Sequence, residues 1–226
     1  MFNQKSILIL FINRNTFQIF GGTLTGIVTI EVPESILRDG DVISEDGAYT
    51  LIKQMVKQYI LTGSQLFIVL SDISYYEKIF SSVETTQLEN DVLNFFNVVP
   101  YESLLTKVYD IEKIKRALAV NKALYETIRQ GFSLQGIPIK AIVPACVLGT
   151  FGTKHIMDVA MANEIMRNVD GLTKQSFLDS QEVNVPVSRP EEVLTSPKKK
   201  SQLPLLLGVF GVLIAILVIV ILMQPH

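Results

Sequence analysis

The chain has one cysteine, Cys146, in 226 residues. A single thiol excludes an intramolecular disulfide and any cysteine-rich metal site. Its default reading is a small buried hydrophobe, not a nucleophile. Histidine is nearly as scarce. His155 and His226 have no metal-ligand spacing, so His155 is expected to be a satisfied or exposed side chain. No G-x-x-x-x-G-K-[ST] phosphate loop occurs. The nearest run, Gly149 to Lys154 (GTFGTK), has the wrong spacing and reads as a loop between strand and helix. No secretory leader opens the sequence: Met1 to Lys5 is polar, and Ile7 to Ile12 is too short and lacks a cleavage site. No internal repeat or low-complexity tract is visible. Large net charge is missing too, at −2 overall. Setting aside the three positive charges of Lys198, Lys199 and Lys200 leaves −5 for the rest. That mild acidity argues against nucleic acid as the main partner. Glu191 and Glu192 stand in a Ser-, Pro-, Glu- and Lys-rich stretch with no fixed pocket to tune them for acid–base work. No catalytic, metal or cofactor-binding constellation is left, so the expectation is a protein that is not an enzyme and has no cofactor.

Charge is absent altogether from Leu203 to Met223, LPLLLGVFGVLIAILVIVILM. Twenty-one apolar residues at about 1.5 Å rise make a helix of roughly 31 Å, enough to cross a hydrocarbon core of about 30 Å. Lys198, Lys199 and Lys200 flank one side only, which places the N-terminal part in the cytoplasm. Gly208, Gly211 and Ala215 fall on one face of this helix and form a candidate packing face for a homodimer. Four segments are therefore expected: a lobe over 1–178, a flexible linker over 179–202, a transmembrane helix over 203–223 and a short tail over 224–226. The location is the cytoplasmic membrane, in a single pass.

Within the lobe, Ser6–Ile12, Thr16–Phe20 and Thr25–Val32 read as a three-stranded meander broken by turn residues. Asp39-Gly40-Asp41 is a further turn signal. Ser44 caps a helix to Ile60 and Gly63 stops it. Gln65–Leu70 is a buried strand, Ile73–Val83 another, and Thr85–Phe96 a helix. Leu104–Ile111 and Ile114–Val120 are two strands around a turn. Asn121 caps a helix to about Leu134, Ile137–Val143 is a strand, and Ile156–Val169 is helical. Phe95, Phe96 and Tyr101 form an aromatic cluster with two readings, core packing or a partner contact.

Several of these stretches, in this order, resemble one family. They are the run from Pro33 into Asp39-Gly40-Asp41-Val42, then a helix, then QLFIVLSD at 65–72; LENDVLNFFNVVPYES at 88–103; and NKALYETIRQGFSLQGIPIKAIVPACVL at 121–148. They are similar to the corresponding sections of PilM-type proteins and of the cytoplasmic part of GspL. The resemblance implies an actin-like (ribonuclease H-like) α/β fold and a place in a type IV pilus or type II secretion inner-membrane platform. It also implies contact with a membrane partner's short cytoplasmic segment and with the assembly ATPase. Two departures matter. Where that family has a Gly-, Ser- and Asp-rich phosphate loop, this chain reads FINRNTFQIF at 11–20. After Val147, the 50 residues from Leu148 to Pro197 leave no room for a second half. The expectation is a single actin-like lobe with no nucleotide site, a non-enzymatic membrane-tethered adaptor whose partners are the membrane and the platform proteins. The alternatives are an unrelated tail-anchored regulator and an actin-superfamily ATPase.

Overall fold

A computed structural model describes residues 6–80 and 85–179. Lys198, Lys199, Lys200, Gly208, Gly211, Ala215, the span over 203–223, the tail over 224–226 and nearly all of the linker lie outside the described residues. Among the described residues no helix is long and apolar enough to cross a membrane.

The strand SILILFIN folds as β1 (Ser6–Asn13), with Leu8 through Ile12 at most 1% exposed. A strand buried on both faces reads as a continuous apolar run because no face needs polar residues. β2 (Thr16–Gly21) returns antiparallel across a tight turn at Arg14 and Asn15, where Arg14 takes φ +44°. β3 (Val28–Glu31) completes the meander. It is shorter than its β-branched pattern predicts. Gly21 and Gly22 both adopt positive φ, and Leu24 N–H donates to the Gly21 carbonyl, so the chain curls before it can pair. Leu37–Arg38 (β4) and Asp41–Val42 (β5) form a miniature hairpin around Asp39 and Gly40, both at positive φ, as primed turns require.

Helix α1 (Glu45–Gln58) starts where Ser44 Oγ accepts from Gly47 N–H at 3.1 Å. It leads into β6 (Ser64–Leu70), which lies parallel to β1. Asp72–Ser74 then forms a single 3-10 turn, so β7 begins only at Tyr76 and runs to Phe80. Helix α2 (Thr85–Val98), β8 (Leu104–Ile111) and β9 (Ile114–Asn121) follow. Helix α3 (Lys122–Ser133) is capped by Asn121, as its sequence predicts. β10 (Ile139–Pro144) lies parallel to β6. The single helix expected over Ile156–Val169 is instead two, α4 (Val159–Arg167) and α5 (Val169–Lys174). Asp158 caps α4, and Asn168 leaves helical geometry at φ −109°, ψ 24°, which breaks the run.

The result is a mixed α/β fold around a five-stranded sheet in the order β10-β6-β1-β2-β3. A second sheet, β7-β9-β8, is antiparallel and sits in the connection between β6 and α3. One face of the central sheet, with Leu8, Leu10, Ile12 and Ile68, packs with Ile52 and Val56 of α1 and with Leu124, Ile128 and Phe132 of α3. Leu118 and Val120 of the second sheet join the same core. The other face, with Ile9, Phe11, Val69 and Val143, is covered by Met161 and Ile165 of α4 and Leu172 of α5. All described residues fall in one compact unit, Met1–Ser188.

Candidate functional site

The chain moves to one side of β1 through β2 and β3, then returns to place β6 on the other side of β1. The carboxyl ends of β1 and β6 therefore flank the point where the strand order reverses, the usual place for a site in open α/β sheets. Burial forces the strands to be apolar up to their last residue, so polarity begins abruptly there, at Asn13 on β1 and at Ser71-Asp72 after β6.

These groups meet in one network. Ser71 N–H donates to the Ile12 carbonyl at 2.9 Å, and Ser74 Oγ donates to the same carbonyl at 3.0 Å. Ser71 Oγ reaches Asn13 Oδ1 at 3.4 Å and Ser74 Oγ at 3.0 Å. Arg14 N–H donates to Ser74 Oγ at 3.1 Å. Asn13 Nδ2 donates to the His155 carbonyl at 2.7 Å, and His155 Nδ1 lies 2.7 Å from Asp72 Oδ1. The imidazole is oriented by a carboxylate, but both serine hydroxyls are engaged with Asn13, the Ile12 carbonyl and each other. A serine nucleophile needs the imidazole as its own hydrogen-bond partner. Likewise, a turn that cradles phosphate keeps its backbone N–H groups directed at the ligand, whereas here the Arg14 N–H is given to Ser74. Chemically, the network ties the segment before α4 to the sheet edge and leaves Arg14, His155 and part of Asp72 facing solvent.

Beside it lies the aromatic segment singled out from the sequence. Phe96 is 6% exposed and packs with Phe80, Val99, Ala117 and Ala119 under the second sheet. Phe95 is half-buried, its ring 5.4 Å from that of Phe96. Tyr101 is half-buried and edge-on to the exposed Tyr76, with ring centroids 5.5 Å apart. Burial pushes the Tyr101 phenol up to about 12, helped by Tyr76, Asp41 and Asp39, with Arg14 pulling the other way. The turn at Arg14, the hairpin at Asp39–Asp41 and the pair Tyr76–Tyr101 therefore share one mixed surface. Gly40 is needed there: its φ is +84°, and a Cβ would come within 3.0 Å of Tyr101 Oη.

Cys146 is half-buried just beyond β10, and burial raises its thiol to about 11, so it stays protonated and unreactive at neutral pH. The Tyr75 hydroxyl lies beside it. Tyr75 is 7% exposed, its phenol is raised chiefly by burial, and its Oη has no hydrogen-bond partner among the described residues beyond a weak contact with the Cys146 thiol. An unsatisfied buried hydroxyl carries a desolvation cost of about 1–3 kcal/mol. Tyr75→Phe is therefore expected to raise stability by about 1 kcal/mol, against the usual sign for a core substitution. Measuring the denaturant midpoint of both proteins checks this, and a loss above about 1 kcal/mol would mean the hydroxyl is bonded.

Neither residue type nor spacing singles out Asn13, Arg14, Ser71, Asp72 and Ser74, whereas His155 is an exposed side chain with a partner, as expected. The available signal was positional: polar residues standing directly at the ends of two apolar runs, LILFI-N and LFIVL-SD. Among the described residues, no group of three or more His, Cys, Asp or Glu is placed to hold a metal ion.

No protein-family model matches the sequence, and no curated protein sequence matches it. Among solved structures the chain is similar to one in the PilM–PilN type IV pilus biogenesis complex, at 12% identity and a TM-score of 0.41 over 62% of this chain and 47% of that one. It is also similar to the cytoplasmic domain of EpsL, an inner-membrane component of the type II secretion system of Vibrio cholerae. That match has 8% identity and a TM-score of 0.39, over 62% of this chain and 57% of that one. A Bacteroides thetaiotaomicron protein with an actin-like ATPase fold is similar at 12% identity and a TM-score of 0.39, over 64% of this chain and 53% of the other. The chain spans about half the length of these solved chains.

Proposed function

We propose that this protein is a non-enzymatic, membrane-tethered assembly protein of a type IV pilus or type II secretion platform. On this reading the lobe recognises other platform proteins from the cytoplasmic face of the membrane. The observation that carries it is the strand order. A three-stranded meander is followed by two strands parallel to its first, as the resemblance of the ordered motifs implies for an actin-like lobe. The Arg14–Ser74 hydrogen bond, where that family has its phosphate loop, favours recognition over nucleotide chemistry. The Lys198–Lys200 cluster and the apolar run after it supply the tether. The surface offered to a partner is the one around Tyr76, Tyr101, Asp39 and Arg14, where exposed aromatic area and charge lie together.

Val98 stands at the edge of that segment and is 76% exposed, so a photoreactive residue there leaves the core intact. Crosslinking in native membranes is expected to capture a pilus or secretion component, and Tyr101→Ala to weaken that capture. Capture of only unrelated proteins, in cells that contain such machinery, would instead favour a tail-anchored regulator. Stoichiometric, magnesium-dependent ATP binding in calorimetry would favour the ATPase.

A further inference from the structure

Helices α1 and α3 end in the same kind of turn. Leu61 N–H donates to the Val56 carbonyl after α1, and Ile137 N–H donates to the Phe132 carbonyl after α3, both at 3.1 Å. A bond of this span needs a left-handed residue just before its donor, most often glycine. After α3 that residue is Gly136, at φ +73°; after α1 it is Ile60, at φ +52°. A β-branched residue is strained there, because its Cβ crowds the backbone. Thr23 Oγ1 holds the strained turn, reaching the Tyr59 carbonyl at 3.0 Å and the Ile60 carbonyl at 3.4 Å. The Ile60 side chain is 67% exposed, so core packing does not compensate the strain. Glycine would serve this turn better, as it does after α3. Strain kept at an exposed apolar side chain points to a role in recognition.

The surroundings of Ile60 say what is recognised. β6 and β10 are parallel neighbours, and Leu66 N–H donates to the Pro138 carbonyl at 2.8 Å. The turns that lead into them therefore share one end of the lobe, opposite the Asn13–His155 network. The second turn presents Leu134, 63% exposed. No Asp or Glu occurs between Asp46 and Asp72 or between Glu126 and Asp158. The later turns of α1 and α3 and the start of β10 carry Lys53, Lys57, Arg129 and Lys140, all exposed. The acids stand at the other end of α1, as Asp39, Asp41, Glu45 and Asp46. A helix dipole favours a base in the last turn, which accounts for Lys57. It asks nothing of Lys140, which stands on a strand, or of Ile60.

We propose that this end of the lobe, with Ile60 and Leu134 at its two turns, docks on a bilayer of anionic lipid. The aliphatic side chains enter the head-group boundary and the bases meet lipid phosphate oxygens. A second copy using the same face would set like charges against each other. Protein hot spots centre on aromatic and arginine anchors, whereas here the most exposed apolar groups are aliphatic and three of the four bases are lysines. Docking in this way turns Arg14, Asp39 and Tyr101 away from the bilayer, toward cytoplasmic partners. The inference rests on the membrane-tethered reading for its bilayer, but not on the identity of the platform.

Thr62 is exposed in the same turn as Ile60, so a cysteine there reports whether the turn is covered. Cys146 stays protonated at neutral pH and adds only a slow background. Full-length Thr62→Cys is placed in vesicles of phosphatidylcholine alone and of phosphatidylcholine mixed equally with phosphatidylglycerol. Labelling by N-ethylmaleimide is expected to be at least about 5-fold slower in the anionic vesicles, and adding Ile60→Asn is expected to abolish the difference. Asparagine tolerates the left-handed region, so the thermal midpoint of Ile60→Asn should equal or exceed that of its parent, which separates lost docking from lost folding. Equal labelling in both vesicles would overturn the proposal, as would slowing that survives Ile60→Asn. Protection in native membranes that is missing in anionic vesicles would assign the surface to an acidic protein partner and overturn it too. Flotation with the neutral vesicles reads the tether separately: its absence would count against tethering, while the labelling in anionic vesicles still decides docking.

Discussion

Asn121→Ala is expected to lower the stability of the lobe by about 2–4 kcal/mol, the largest effect of any single polar substitution in it. Asn121 is 5% exposed and joins three elements. Its Oδ1 accepts from Ala123 N–H at 3.0 Å and so caps α3. Its Nδ2 donates to the Gly40 carbonyl at 3.0 Å and to Asp41 Oδ1 at 2.8 Å, which ties the end of β9 to the small hairpin. Loss of an asparagine cap costs typically about 1 kcal/mol. Each lost bond adds about 1 kcal/mol, and the Gly40 carbonyl is left without this donor. Asn121→Asp separates these contributions. It keeps the acceptor for Ala123 but removes the donor and sets a second carboxylate against Asp41. At pH 7 this variant is expected to be at least as unstable as Asn121→Ala. Neighbouring charge and burial raise its folded-state pKa, so its deficit relative to Asn121→Ala should shrink as pH falls through the carboxylate range, near 4. Denaturant titrations of the three proteins at pH 7 and pH 4.5 check the sign. An Asn121→Ala loss below about 1 kcal/mol would mean that only the cap matters.

Gly131→Leu is expected to cost about 3 kcal/mol or more, because α1 and α3 touch at that residue. A Cβ on Gly131 would lie 2.4 Å from Ile52 Cδ1 and 3.5 Å from Ile52 Cβ and Cγ1. Ile52 is 1% exposed and borders only a small void, so its methyl has little space to enter. Leucine is a good helix former, so propensity is not the cause of the loss. Gly131→Ala should be much milder. Removing a glycine from the last turn of α3 gains at most about 1 kcal/mol, which offsets part of the cost of moving one methyl group. Combining Gly131→Ala with Ile52→Val deletes the clashing Cδ1. The double variant should therefore be more stable than the sum of the two single changes predicts. Strict additivity in thermal or denaturant unfolding would mean that the helices separate to make room and that the close approach carries little energy.

Both residues show how much of this fold was legible in advance. Asn121 was readable as a cap, since an asparagine standing before an apolar-periodic run is a local signal. Its two bonds to Gly40 and Asp41, 81 and 80 positions away, were not. Gly131 lies inside a predicted helix, where a glycine alone only lowers helix propensity. Its reason for being there is Ile52, on another helix. Phe95, Phe96 and Tyr101 were legible as an aromatic cluster, but the alternation of packing and exposure within it depended on β7 and β9.

The sequence by itself determined the elements that obey short-range rules. β1 and β6 are continuous apolar runs, the first two strands meet at an Asn-Arg-Asn turn, and Ser44 and Asn121 cap helices through donors two or three residues away. Only the tertiary structure decided what crosses long stretches of chain. It paired β1 with β6, cut short β3 and β7, and split the α4–α5 region at Asn168. It also joined Asn13 to the His155 carbonyl, 142 positions apart, and laid Ser176 against Ile142. Propensity and periodicity act over a turn of helix or a few residues of strand. A polar group at the end of a buried strand must instead find its partner wherever the closed core brings one, and no local pattern records where that is.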